Sequence, residues 1–163
     1  MFSLVHRIWG LPWPAPLRRA ASPIIWNTWL QRLVVPHFRV GVVGVIENGR
    51  GQFLLFRHTY RPQYPWGLPT GFLEHGEQPD RALAREIREE AGLEVDVSPL
   101  CLVTVEPRRA HANLIFRGTY RCGTFVASPE VSEARFFDLD ELPALLPDQR
   151  RLLESLRKEV LSH

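Results

Sequence analysis

The stretch GFLEHGEQPDRALAREIREEAGL, from Gly71 to Leu93, decides how this chain of 163 residues is interpreted. Three of its carboxylates, Glu86, Glu89 and Glu90, stand at positions i, i+3 and i+4, so a helix places them on one face. Like charges at that spacing repel by about 0.2–0.5 kcal/mol per pair. Two of them also fall in the last turn, where the helix dipole disfavours negative charge. A hard divalent cation with oxygen ligands removes both penalties, so the pattern predicts a metal site.

A structural explanation of the same glutamates is the alternative. Arg81, Arg85 and Arg88 lie on the same predicted helix, where they could form a solvated face of salt bridges with the carboxylates. That explanation does not account for the outlying Glu77 or for the glycines at both ends of the stretch. The complete pattern therefore favours a site for a divalent cation.

The constrained positions of this stretch resemble, position for position, the signature box of the Nudix hydrolases, which cleave nucleoside diphosphates linked to a further group. They are Gly71, Glu77 and the run from Arg85 to Leu93, REIREEAGL. The resemblance implies an α/β fold, an α/β/α sandwich around a central mixed sheet, in which the box forms a loop, a helix and a second loop. It also implies Mg²⁺ as the cofactor, with Mn²⁺ as a substitute, and a nucleotide-type small molecule as the substrate.

Roles of the box residues follow from the resemblance. Glu86, Glu89 and Glu90 are expected to be the inner metal ligands, with one of them as a candidate base and Glu90 as the strongest ligand. Arg85 and Glu77 are expected to form the family's structural ion pair, which orients the catalytic loop against the helix. A pyrophosphate bond resists attack because its oxygens are negative, so catalysis needs cations and a positioned water.

Further oxygen donors are predicted outside the helix. The residue before Gly71 commonly lends its carbonyl to a metal in this family, and here it is Thr70, where many members have a second glycine. A β-branched residue resists a positive φ, which leaves the loop geometry open, and a purely structural threonine is the alternative. Many members recruit another acid from a later loop, and Glu130 is a better candidate than Glu133, which directly precedes a predicted strand.

Contacts to the substrate are less constrained by the sequence. Arg57 and Arg61, together with Thr70 and Gly71, are the candidate substrate-binding residues, because guanidinium groups match phosphate oxygens. Four aromatic side chains are candidates either to stack on a base or to pack in the sheet: Tyr64, Trp66, Phe116 and Tyr120. Three histidines are candidate phosphate contacts or are incidental: His58, His75 and His111. A nucleoside triphosphate or a nucleoside diphosphate sugar is therefore the expected class of substrate.

Composition divides the chain into an extension and a catalytic domain. Residues 1–36 contain four of the five tryptophans and no acidic residue, and residues 37–163 are predicted to form the Nudix domain. The extension is predicted to be a helix and loop packed on the domain or on a second copy in a homodimer. Weak contact with a membrane surface is the main alternative, and a transit peptide is a weaker one.

The sequence also bears on the compartment of the protein and on the state of its two cysteines. No apolar run reaches the ~20 residues needed to span a bilayer, and a secretory signal is disfavoured, so the cytoplasm is the default. Cys101 and Cys122 are predicted to lie on separate strands as buried free thiols, with a disulfide as the alternative. A stable nucleic-acid partner is not expected.

The remaining elements are predicted from apolar periodicity and turn residues. Strands are expected at 38–46, 52–58, 100–106, 113–121, 123–127 and 134–137, with Asn48-Gly49 as the turn of the first hairpin. Pro79 fits the first turn of the box helix, and Gly92 fits the position that ends it. A last helix, capped by Asp148, is expected to bury Leu152, Leu156 and Val160.

Two classes of function compete. The first is a Mg²⁺-dependent Nudix hydrolase that cuts a phosphoanhydride bond. The second is a catalytically silent Nudix-fold module that binds or senses a nucleotide. Such modules usually lose box carboxylates, and none is lost here, so the sequence favours the enzyme.

Overall fold

Residues 38–106 and 110–161 are described by the computed structural model, with side chains as far as residue 156. The predicted N-terminal extension, residues 1–36, and the side chain of Val160 lie outside the described residues. The helix of the extension, its membrane contact and its role in a homodimer therefore stay predictions, as does the division into residues 1–36 and 37–163. Within the described part, no helix is long and apolar enough to cross a membrane.

A mixed β-sheet forms the centre of the described chain. Its strands are β1 (Arg39–Glu47), β2 (Phe53–His58), β3 (Trp66–Gly67), β4 (Thr70–Phe72), β5 (Leu93–Glu106), β6 (His111–Gly123) and β7 (Val131–Phe137). They follow the order β3-β2-β1-β6-β5, with β4 paired to β1 and β7 paired to β2. β1 and β6 are parallel, and the other pairs are antiparallel. The predicted mixed sheet is confirmed.

Helix α1 (Pro79–Ala91) is the box helix, and it covers one face of the sheet. Pro79 lies in its first turn, where a missing N–H costs nothing. Gly92 ends it with φ 70° and donates its N–H to the carbonyl of Arg88 at 2.9 Å, as predicted. The apolar stripe packs on β1 and β2 through Leu83, Ile87, Ala91, Val42, Ile46, Leu54 and Phe56.

Helix α2 (Pro147–Leu161) belongs to the core on the opposite face. Side chains alternate along a strand, so β1 directs Val43 and Val45 to this second core. The other buried members include Phe53, Leu55, Leu153 and Leu156. One helix on each face confirms the predicted α/β/α sandwich. The capping role predicted for Asp148 is wrong, because α2 begins at Pro147 and Asp148 lies inside its first turn.

The Asn48 hairpin joins β1 to β2 as predicted. The Asn48 side-chain oxygen accepts hydrogen bonds from the N–H groups of Arg50 at 2.9 Å and Gln52 at 3.1 Å. The positive φ of the turn, 76°, belongs to Gly51. The turn is therefore an asparagine-stabilised loop rather than a two-residue turn on Asn48-Gly49.

The segment predicted as a strand at 123–127 is not one. After β6 the chain crosses to the C-terminal end of α1, where the N–H of Val126 donates to the carbonyl of Ala91 at 3.0 Å. The last carbonyls of a helix have no partner within the helix, so this segment satisfies one of them instead of joining the sheet.

Three strands begin earlier than predicted, and for β6 the difference is only two residues, since it starts at His111. β5 starts at Leu93 and runs through an irregular edge around Pro99, with register shifts between Glu94 and Leu102. Bulges and edge positions are where a sheet tolerates proline. β7 starts at Val131, so Glu133 lies inside the strand and does not precede it.

Both cysteines are free and exposed. Cys101 lies on β5 and Cys122 on β6, which confirms their separate strands, but their predicted burial is wrong. Cys122 pairs with Glu94, whereas Cys101 lies in the register shift before Leu102. Cys101 and Cys122 are therefore about 20 Å apart along the strand pair. This distance is too great for a disulfide.

Candidate active site

Strand β4 brings the start of the box against the glutamate face of α1. It pairs with β1, with Thr70 opposite Val43 and Gly71 opposite Val42. A Cβ atom on Gly71 would lie 2.0 Å from Cγ of Glu86, so any larger residue here would displace the Glu86 side chain. Thr70 lies in an extended strand without the positive φ that would strain a β-branched residue. The missing second glycine therefore leaves the local backbone unstrained.

Arg85 forms ion pairs with three carboxylates next to strand β4. Its Nε and Nη2 donate to the two oxygens of Glu77, both at 3.0 Å, which is the ion pair expected from the sequence. Its Nη1 lies 3.3 Å from Oε1 of Glu86 and 3.2 Å from Oε2 of Glu89. Its Nη2 also donates to the carbonyl of Phe72 at 3.2 Å. Arg85 thereby ties the loop before α1, strand β4 and the helix itself into one unit.

This network shifts the ionisation of both partners toward the charged forms. Hydrogen bonding to Glu77 raises the pKa of Arg85, and Arg85 lowers the pKa of Glu77. Glu86 has a second anchor, because its Oε1 accepts the N–H of Phe72 at 3.1 Å. The loop, helix and strand are therefore held by charge-assisted hydrogen bonds.

Glu90 is the carboxylate that Arg85 does not pair. Its Oε2 is buried and has no hydrogen-bond partner. Burial, reinforced by the charges of Glu86 and Glu130, raises the pKa of Glu90 to about 7, and Arg61 opposes the shift. A buried carboxylate oxygen without a partner is costly, and a bound cation would supply the missing partner.

A cleft of about 1070 Å³ opens beside these groups. The oxygen-bearing residues on its wall include Thr70, Gly71, Glu86, Glu89, Glu90 and Glu130. Oxygen donors are what Mg²⁺ and Mn²⁺ prefer, so the donor set fits a hard divalent cation. Among the described residues, no three Asp, Glu, His or Cys side chains already converge as a metal cage. Glu86 and Glu89 are instead paired with Arg85.

The acid predicted from the loop before β7 has one clear position. Glu130 lines the cleft, and its charge contributes to the raised pKa of Glu90. Glu133 lies on β7 and is paired with Arg135. The structure therefore brings Glu130, and not Glu133, to the α1 carboxylates.

Of the two candidate phosphate-binding arginines, only Arg61 lines this cleft. Its guanidinium interacts with Tyr60, 5.2 Å from the ring centroid, and Nη1 is buried with no hydrogen-bond partner. Arg57 is exposed on β2, and alternation along that strand directs it away from the neighbouring His58. The sequence could not show which of the two arginines faces the cleft, since they are only four positions apart.

The three histidines have different surroundings. His58 is buried, and burial with help from Arg61 lowers its pKa to about 4, so it is neutral. His75 is exposed in the box loop. His111 lines the cleft and stacks on Phe72 with ring centroids 5.8 Å apart. His111 is therefore the one of the three that lines the cleft.

Aromatic candidates from the sequence lie mainly in packing roles. Trp66 packs edge-on against Phe137 at 5.0 Å, Tyr120 packs against Phe136 at 5.3 Å, and Phe116 is buried. Tyr64 is exposed before β3. The aromatic residues in the cleft are Tyr60 and Phe72, which sequence reasoning missed. Phe72 follows the box glycine directly, which was the available signal.

Comparisons with known proteins agree with this geometry. The profile of the family described as NUDIX domain matches residues 37–156. An ADP-ribose pyrophosphatase of Methanocaldococcus jannaschii is 34% identical over 122 residues, which are 72% of this chain and 72% of that protein. An NAD-capped RNA hydrolase NudC of Escherichia coli is 36% identical over 107 residues, 62% of this chain but 41% of NudC.

A solved structure supports the same assignment. The crystal structure of a NUDIX hydrolase from Nitrosomonas europaea superposes with a TM-score of 0.66 at 27% identity, covering 73% of this chain and 72% of that one. The family profile covers most of this chain, and all the box residues lie within the matched range. The chain therefore belongs to the Nudix hydrolase family and is a pyrophosphohydrolase of that family.

Proposed function

We propose that this enzyme uses Mg²⁺ to hydrolyse a phosphoanhydride bond in a nucleoside diphosphate linked to another group. Glu86, Glu89 and Glu90 would hold the cation, together with the main-chain carbonyl of Thr70 and the carboxylate of Glu130. The observation that carries the proposal is the buried Oε2 of Glu90, which has no hydrogen-bond partner beside a cleft lined by oxygen donors. Mn²⁺ would substitute, because it accepts the same ligands.

Roles of the surrounding residues follow from their contacts. A bound cation supplies charge neutralisation at the diphosphate and makes a water more acidic. Arg61 lies in the cleft with an unpartnered Nη1 and would bind a phosphate oxygen. The Arg85–Glu77 pair holds the box loop on α1 and would keep that loop in place beside the cation. Glu89 and Glu86 would turn from Arg85 to the cation when it binds.

A nucleoside diphosphate sugar of the ADP-ribose type is the proposed substrate class. One relative, matched over 72% of its own length, is named ADP-ribose pyrophosphatase. The cleft volume of about 1070 Å³ is at the upper end of ordinary ligand pockets, as an extended two-part substrate requires. Beyond the glutamates its wall includes His111 and Asn113 of β6 and Gln149 of α2, which offer hydrogen bonds to sugar hydroxyls.

The test is a substrate panel assayed with Mg²⁺ and with a chelator. The panel contains ADP-ribose, other nucleoside diphosphate sugars, nucleoside triphosphates, dinucleoside polyphosphates and NAD. We expect turnover that is greatest for ADP-ribose, that needs the cation, and that falls by at least about 100-fold in Glu90→Gln. Glu94→Gln is the matched control, since Glu94 is exposed on β5. Absence of turnover across the panel would instead favour a nucleotide-binding module without catalysis.

A further inference from the structure

Thr59, the residue that follows β2, holds the turn that contains Glu130. The N–H of Thr59 donates to the carbonyl of Glu130 at 2.9 Å. Its hydroxyl Oγ1 donates to the carbonyl of Pro129 at 2.8 Å and lies 3.3 Å from that of Glu130. One residue outside the Nudix box therefore holds two consecutive carbonyls of the turn.

The turn is also closed on itself. The N–H of Ser128 donates to the carbonyl of Val131 at 3.0 Å, and the N–H of Val131 donates to Oγ of Ser128 at 3.0 Å. Val131 is fully buried, so the far end of the turn is fixed in the core. The remaining freedom lies at Pro129 and Glu130, which are the residues that Thr59 contacts.

A β-bulge places Glu130 opposite Thr59. In the pairing of β2 with β7, Arg57 lies opposite Glu133 but His58 lies opposite Val131, which leaves Ser132 unpaired. The hydroxyl of Ser132 donates to the carbonyl of Arg57 at 3.1 Å. A one-residue shift of register reverses the faces of all residues beyond it. Regular pairing would place Val131 opposite Thr59 and would turn Glu130 to the other face.

The side chain that this turn presents belongs to the cleft of the α1 carboxylates. Ser128, Pro129 and Glu130 line the same cleft as Glu90 and Tyr60. Glu130 acts electrostatically on both of the latter, since its charge contributes to the raised pKa of each. The acid on the turn and the acids on α1 therefore line one cleft and act on one another electrostatically.

We propose that Thr59 is a positioning residue whose hydroxyl fixes the 128–131 turn so that Glu130 acts as an oxygen ligand for the cation held by α1. This inference rests on the proposed function, in which Glu130 joins Glu86, Glu89 and Glu90. Thr59 touches neither cation nor substrate and acts through the turn. Its contribution is the orientation of one carboxylate before the cation arrives.

The size of the effect follows from the bond that the hydroxyl makes. A hydrogen bond of this type changes an equilibrium by about two- to tenfold. Thr59→Val keeps the shape and the N–H bond but removes the hydroxyl, so it should weaken Mn²⁺ binding by that factor. Thr59→Ser keeps the hydroxyl and should bind Mn²⁺ as the wild type does.

The experiment measures Mn²⁺ binding to the full chain by the loss of the free-ion electron paramagnetic resonance signal. The variants are Thr59→Val, Thr59→Ser, Glu130→Gln and the double variant, with Thr119→Val as a matched control on the exposed part of β6. Amide hydrogen exchange of Ser128 and Val131 is measured without metal. We expect faster exchange of these amides in Thr59→Val and in the double variant Thr59→Val/Glu130→Gln, but not in Thr59→Ser or Glu130→Gln. The melting temperature of Thr59→Val should be close to that of Thr119→Val.

The decisive result is the dependence of the Thr59 effect on Glu130. A positioning role requires that Thr59→Val weaken Mn²⁺ binding in the wild type but not further in Glu130→Gln. Equal weakening in both backgrounds, or wild-type affinity in Thr59→Val, would overturn the inference, as would a Thr59→Ser variant as weak as Thr59→Val. These readouts need no turnover, so they decide the role of Thr59 even if the substrate panel fails.

Discussion

At the scale of single residues, Glu90 combines partial burial with a carboxylate oxygen, Oε2, that is buried and has no hydrogen-bond partner. Its neighbours Glu86 and Glu89 are paired with Arg85, whereas no described cation pairs with Glu90, and the charge of Arg61 offsets its burial only in part. Its pKa is raised to about 7 for that reason. The protein thus accepts a destabilised carboxylate at the position where a divalent cation would remove the penalty.

The first prediction concerns stability without metal. A carboxyl group whose pKa is raised on folding stabilises the folded state below its unfolded pKa and loses that contribution as pH rises toward 7. In a chelator, Glu90→Gln should therefore gain stability relative to the wild type between about pH 5 and about pH 8. Since Glu90 is only partly buried, we expect a gain of about 1–2 kcal/mol, measured by urea unfolding.

At about pH 8, added Mg²⁺ should make the wild type more stable than Glu90→Gln. The cation binds the folded wild type and stabilises it by mass action, whereas Glu90→Gln has lost a ligand. Glu94→Gln should follow the wild type at both pH values, because Glu94 is exposed. An equal gain for Glu90→Gln at both pH values would show that ionisation of Glu90 does not destabilise the fold.

At the scale of elements, the site is a junction between strand β4 and helix α1. Gly71 has its Cα against the Glu86 side chain, and the N–H of Phe72 donates to that carboxylate. Arg85 closes the junction by donating to the carbonyl of Phe72. The glycine of the box is therefore a packing requirement of the strand–helix contact, since its backbone lies in an ordinary strand.

The second prediction tests that contact with an added methyl group. In Gly71→Ala the new Cβ would lie 2.0 Å from Glu86 Cγ, so Glu86 must move and its bond to Phe72 must break. Overpacking of this kind costs about 1–3 kcal/mol, and turnover should fall by at least about tenfold. Gly49→Ala is the matched control, because nothing lies within 4 Å of its added Cβ. Similar losses in both variants would contradict a contact-specific role for Gly71.

The same elements show what the sequence could and could not predict. Helix α1, its Pro79 start and its Gly92 end were predictable because the signals are local. The Arg85–Glu77 pair was predictable only through the family resemblance, since its partners are on a loop and a helix. The hydrogen bonds from Thr59 to the Glu130 turn depend on the pairing of β2 with β7 and on a bulge between them. No local pattern encodes a contact across 70 residues.

At the scale of the whole described domain, the two cores support different walls of the cleft. The core under α1 supports the carboxylates, whereas the core under α2 supports the opposite wall of the cleft through Gln149 and Leu152. The second core comes next to strand β4 where Oε1 of Gln149 accepts the N–H of Leu68 at 3.1 Å, two residues before that strand. Cation binding and substrate binding should therefore respond differently to damage in the two cores.

The third prediction separates them with a cavity in the second core. Leu153 is fully buried there, so Leu153→Ala should lower the free energy of unfolding by about 2–5 kcal/mol. Leu100→Ala, at a side chain 49% exposed on β5, should cost less than about 1 kcal/mol. Both are measured by urea unfolding of the metal-free protein.

The same pair of variants then decides whether the cores act separately. The folded Leu153→Ala protein should bind Mn²⁺ as the wild type does, because Glu86, Glu89 and Glu90 lie on α1. Its KM should rise, because the loosened α2 no longer holds Gln149 and Leu152 against the substrate. If Mn²⁺ affinity falls in parallel with stability, the link from Gln149 through Leu68 to β4 transmits the damage, and the two walls of the cleft form one mechanical unit.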